Sequence, residues 1–156
     1  MTHKHSEKGN YEIKVVTVSD TRTIEEDESG DSIEDIFKKD DHEITRTIVK
    51  DKKQQIRKEI DHNYDLIIFC GGTGVSKRDV TIEAVKPLLD KELPGFAQYF
   101  RKKSFEEVGT RAIMTRTTAG ILDTTYIFAI PGSVNAAKTA ANIIKKEINH
   151  LVYHGK

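Results

Sequence analysis

The stretch FCGGTGVSKRDVTIEA, residues 69–84, sets three glycines, a threonine and an Arg-Asp pair directly behind an apolar run. Two chemistries suit that pattern. Bare glycine backbone exposes N–H groups that can cradle a phosphate, and glycine equally serves a tight turn that needs positive φ. The common nucleotide loops do not fit. A Walker-type loop counted from Gly71 requires glycine at position 76, which is Ser76, followed by Lys77 and Arg78. A dinucleotide fingerprint counted from Gly72 requires glycine at 77, which is Lys77. From the residues alone, cradle and turn both stay open.

Two acids stand beside such a loop. Asp51 has Gln54 three residues on, a capping-box spacing, and Asp79 opens the segment after the glycines. Each reads either as a helix cap or as a working carboxylate. Both begin a helix that follows a strand, which puts them on one rim. Two carboxylates on one rim can hold a magnesium ion that bridges phosphate oxygens. Lys77 and Arg78 could neutralise phosphate or be a solvated loop tip, and Arg22 and Arg116 carry the same two readings. Cys70 ends an apolar run and reads as a small core residue before a nucleophile. His3 and His5 in the polar N-terminus are a weak metal pair, and His42, His62, His150 and His154 show no metal-ligand spacing.

The elements that must position these residues alternate. YEIKVVTVSD reads as a strand over 11–19, and Ile33, Ile36 and Phe37 have helical spacing. HEITRTIV is a β-branched alternating strand, and Ile56 and Ile60 mark a helix opened by Asp51. DLIIFC is a continuous apolar run, the pattern of a parallel strand buried on both faces. Ile82, Val85 and Leu89 stripe a helix after Asp79, and a further helix starts at Pro94. RAIMTRTTAGIL and TTYIFAI read as two strands paired as a hairpin near Asp123. A last helix carries Val134, Ala137, Ala141, Ile144, Ile148 and Leu151. The alternation predicts an α/β three-layer sandwich, with a mainly parallel sheet and a late β-hairpin. Ligands of such sheets bind beyond the strand carboxyl ends. That selects Ser19-Asp20, Gly71-Gly72-Thr73-Gly74 and Pro131-Gly132-Ser133.

At 156 residues, one domain over 11–156 behind a flexible tail of 1–10 is expected. Lys+Arg and Asp+Glu both number 25, so the excess of positive charge that a nucleic-acid partner favours is missing. There is no apolar run of membrane-spanning length and no signal-peptide core. With one cysteine no internal disulfide forms, which fits a cytoplasmic protein.

In combination the motifs are more specific. VTVSDTRT…DESGDSI, GGTGVSKRDVTIEAV, LPGF and IPGSVNA, in that order, resemble the MoaB/MogA family of molybdenum-cofactor biosynthesis proteins. The resemblance spans residues 11 to about 148, and the SDTRT opening and the length sit closer to MoaB. It implies the molybdopterin-binding, MogA-like fold. It also implies Mg-ATP-dependent adenylation of molybdopterin's terminal phosphate with release of pyrophosphate. ATP and molybdopterin would be substrates and Mg2+ the metal. The assembly would be a trimer or hexamer, with other proteins of the pathway as candidate partners. By motif position Gly71, Gly72, Thr73 and Gly74 would face nucleotide phosphates. Asp51 and Asp79 would be the catalytic and magnesium-binding acids. Ser19, Asp20, Pro131, Gly132 and Ser133 would line the pocket. A non-catalytic molybdopterin carrier is the second reading. A CinA-like domain acting on pyridine nucleotides ranks third, because the further domain of those proteins is lacking.

Overall fold

A computed structural model describes residues 9–156; the His3 and His5 pair lies outside the described residues. Six strands form one sheet: β1 (Glu12–Val18), β2 (Glu43–Val49), β3 (Leu66–Cys70), β4 (Lys91–Glu92), β5 (Thr118–Leu122) and β6 (Thr125–Ile130). Their spatial order is β2-β1-β3-β6-β5-β4. β2, β1, β3 and β6 run parallel, while β5 is antiparallel to both β6 and β4. Every residue of β3 is buried because it lies between two parallel partners with helices over both faces.

The helices are α1 (Glu28–Lys38), α2 (Lys53–Lys58), α3 (Thr81–Val85), α4 (Pro94–Val108) and α5 (Val134–Gly155). Period-two alternation sorts the strand side chains between two cores. Ile13, Val15, Leu66, Ile68 and Phe128 pack against Ile33 and Phe37 of α1, Phe100 of α4 and the alanine-rich stripe of α5. Val16, Val18, Ile67, Phe69 and Ile127 pack against Ile56 of α2 and Ile82 and Val85 of α3. The three-layer α/β sandwich with its late hairpin is therefore present, with one helical layer much thinner than the other.

Several local readings change. The helix expected after Asp79 stops after five residues and tightens into a 3-10 turn at Lys86–Leu88, where Pro87 brings no N–H. The first half of RAIMTRTTAGIL is not strand. Gly109, at φ +66°, ends α4, and Gly109–Met114 coils into a 3-10 turn before β5 begins. β4, only two residues long, has too short a pattern to be read from sequence. No helix among the described residues is long and apolar enough to cross a membrane.

Candidate functional site

Strand order reverses between β1 and β3: the chain leaves β1 for β2 on one side and returns to β3 on the other. Loops at such a point diverge and leave a crevice. A cavity of about 490 Å³ opens there, at the carboxyl ends of the parallel strands. All of Ser19, Asp20, Asp51, Gly71, Gly72, Thr73, Gly74, Asp79, Pro131, Gly132 and Ser133 line it. Four separate segments of the chain thus meet as the strand-end rule requires.

The glycine loop is shaped by contacts on both sides. Gly71 takes φ +106°, and a Cβ there would meet the Val18 carbonyl oxygen at 2.5 Å, so only glycine fits. Its N–H donates to the Ile130 carbonyl at 2.9 Å. The Thr81 hydroxyl donates to the Gly71 carbonyl at 2.7 Å, and the Thr81 N–H donates to the Gly72 carbonyl at 2.9 Å. Threonine of the RDVT block therefore ties the loop to α3. Among the described residues the N–H groups of Gly72, Thr73 and Gly74 have no acceptor within the chain. The other wall is also near: a Cβ on Gly132 would lie 3.1 Å from the Gly71 Cα. Ser133 caps α5, its hydroxyl oxygen accepting from the Ala136 N–H at 3.2 Å.

Neither acid is the helix cap that its position suggests. α2 begins after Lys52, with no side-chain cap. Asp51 sits one residue too early, and its carboxylate faces the cavity while its N–H donates to Asp20 Oδ1 at 3.0 Å. Burial, and next the Asp20 carboxylate, raise the Asp51 carboxyl above the ordinary aspartate range. α3 likewise starts after Val80 with no side-chain cap. Asp79 instead closes the loop on itself: Oδ2 accepts from the Ser76 hydroxyl at 2.6 Å and from the Ser76 N–H at 3.0 Å. Among the described residues no group of three or more His, Cys, Asp or Glu side chains could hold a metal ion. Magnesium is commonly bound by one or two carboxylates with phosphate oxygens and water. Asp51 and Asp79 suit it in that company.

Three arginines join the site. Arg22, Arg78 and Arg116 line the cavity, whereas Lys77 does not. Arg116 donates to the Gly74 carbonyl at 2.9 Å and pairs with Glu83, bracing the loop against α3. Met114 and Thr115 also line the cavity and were missed, because their segment reads as strand. Cys70 is fully buried beneath the site and its thiol is pushed up to about 12 by burial, as befits a core residue. His42 packs between Tyr11 and Phe37, and its Nδ1 accepts from the Tyr11 N–H at 3.1 Å.

The family model for a probable molybdopterin binding domain matches residues 14–150. The chain belongs to the molybdenum cofactor biosynthesis family. It is 47% identical over 148 residues to molybdenum cofactor biosynthesis protein B of Staphylococcus aureus, covering 89% of this chain and 88% of that one. The crystal structure of a molybdenum cofactor biosynthesis protein B superimposes with TM-score 0.90 at 38% identity, covering 95% of this chain and 97% of that one. The tungsten cofactor synthesizing protein MoaB of Pyrococcus furiosus superimposes with TM-score 0.84 at 41% identity, covering 94% and 97%. In this member of the family the glycine loop and both acids border a single cavity.

Proposed function

We propose that the chain binds molybdopterin and Mg-ATP in this cavity and transfers the adenylyl group of ATP to molybdopterin's terminal phosphate. The observation that carries the reading is the meeting of unpaired N–H groups of the glycine loop with two carboxylates at one crevice. A terminal phosphate oxygen attacks the α-phosphorus and forms the new P–O bond. The α–β bridging P–O bond breaks, and pyrophosphate leaves with the electron pair. The difficulty is bringing two anions together, so positioning and charge stabilisation supply most of the catalysis.

The N–H groups of Gly72, Thr73 and Gly74 are suited to receive phosphate oxygens. The Ser76–Asp79 turn and Arg116 keep that loop from relaxing. Asp51 and Asp79 would hold magnesium, which supplies neutralisation of phosphate charge when bound. No side-chain nucleophile is required, and the buried Cys70 thiol offers none. A homo-oligomer, trimeric or hexameric, in the cytoplasm goes with the same reading, and Phe105, Val108 and Ile113 are each exposed apolar side chains of the kind an assembly covers.

Pyrophosphate release from Mg-ATP, with and without molybdopterin, tests the reaction on wild type and Asp79→Asn. Asparagine retains an acceptor oxygen for Ser76 and loses only the charge. Release that needs molybdopterin and disappears in the variant is the expected result. Tight molybdopterin binding with no release, unaffected by the substitution, makes the chain a carrier instead.

A further inference from the structure

We infer that Arg22 is an anion-binding residue of the cavity, holding a phosphate group of the ligand. The inference rests on the cavity being the phosphate site proposed above, and it assigns one more residue to it.

Both signs of charge border the cavity: Asp20, Asp51 and Asp79 line it together with Arg22, Arg78 and Arg116. An anionic ligand beside those carboxylates needs a cation to offset them.

Of the three cavity arginines, Arg22 alone combines a main-chain tether to the strand-end loop with a guanidinium that makes no close hydrogen bond. Arg116 is occupied by Glu83 and the Gly74 carbonyl. Arg78 is exposed and has no hydrogen-bond partner among the described residues. Arg22 is tethered through its main chain and only loosely through its guanidinium. Its N–H donates to Ser19 Oγ at 3.1 Å, and its Nη1 stands 3.7 Å from Oδ1 of the fully buried Asp27.

The bland alternative makes Arg22 merely the counter-ion of that buried carboxylate. Closer donors argue against it. Asp27 already accepts from the Thr17 hydroxyl at 2.6 Å, Arg46 at 2.9 Å and the Gly30 N–H at 3.1 Å. Arg22 comes fourth and loosest, with a side chain about one-third exposed, so its pairing contributes little to stability. A guanidinium carries five N–H donors, and among the described residues that ion pair is the only polar interaction of the Arg22 guanidinium. The remaining donors form a fork of the kind that binds phosphate through two parallel hydrogen bonds.

The test is calorimetric titration of the full chain with inorganic pyrophosphate and, separately, ATP. Arg22→Gln should weaken pyrophosphate binding about 10- to 100-fold, the usual range for a charge-assisted pair. Arg22→Lys should recover part of the loss. Lys77→Gln, which removes a charge outside the cavity, should change it by less than about 3-fold. Melting temperatures within about 2 °C of wild type verify the fold of each variant. Equal losses in Arg22→Gln and Lys77→Gln would overturn the inference, leaving only general charge. So would ATP and pyrophosphate binding that ignores Arg22, with the proposed function intact. Binding of neither anion by wild type would remove the proposed function, and this inference with it.

Discussion

The Asp51 N–H donates to Asp20 Oδ1 at 3.0 Å, which fastens the end of β2 to the end of β1 and sets two carboxylates side by side. These strands are parallel neighbours, so their ends reach the same rim, and the Ser19 N–H reinforces the junction by donating to the Val49 carbonyl at 2.9 Å. The cost is electrostatic. Asp51 is half-buried beside a like charge, and its ionised form is disfavoured in the fold.

A stability effect follows with a definite sign. Because the folded-state pKa of Asp51 is raised, its ionisation destabilises the fold at neutral pH. The penalty fades as pH falls through the raised value and is absent below the ordinary aspartate value near 4. In the absence of ligand, Asp51→Asn should melt about 1–3 °C above wild type at pH 7, with the gap closed by about pH 4. Adding Mg-ATP should raise the wild-type melting temperature and not that of the variant. Calorimetric melts across that pH range would show both.

Gly71→Ala tests the glycine loop as structure. The substitution meets a positive φ and the Val18 carbonyl together. We expect a loss of about 2–4 kcal/mol, read as a fall in denaturant midpoint with unchanged m-value. A variant as stable as wild type would mean that the loop relaxes freely.

Arg116→Ala tests the brace. It frees the Gly74 carbonyl and Glu83 while leaving both cores untouched. ATP affinity should drop about 10-fold while the melting temperature moves less than about 2 °C. Amide exchange should quicken over residues 72–79, a local opening that mass spectrometry resolves.

The cluster around Arg46 sets acid stability. Its guanidinium meets the buried Asp27 and also Asp31 and Glu34. Removing it with Arg46→Leu leaves Asp27 short of a partner in the interior, at a cost of about 3–5 kcal/mol. Glu34 is held below its ordinary value, first by its hydrogen bond from Lys38 and also by Arg46, against burial. That contribution is full above the ordinary glutamate value near 4.3 and is lost as pH falls through the lowered one. Glu34→Gln should therefore flatten the stability profile below about pH 4 and lie beneath wild type above it.

The α/β class was legible because its signals are local. Leu66–Cys70 shows unbroken apolarity, the final helix shows its stripe, and glycines bound the strand. The candidate site was legible because strand ends in such folds share a rim, and the three chosen loops do converge there. Helix caps were less legible. Asp51 and Asp79 have the spacing of caps, yet in each case the helix starts one or two residues later and the carboxylate turns elsewhere. Position relative to a helix start does not determine side-chain direction when a cross-strand or loop partner competes for it.

The order of the long strands and helices, the glycine loop and the family resemblance could be read from the residues, since these depend on periodicity and on motifs of a few residues. Tertiary structure alone decided the strand order that opens the crevice between β1 and β3. It also decided which arginines reach that crevice and which acid each one meets. Arg22 and Asp27 lie five residues apart, but Asp27 is buried by Thr17 and Arg46, from two different strands. Such partnerships arise from pairing between distant segments, and no local pattern encodes them.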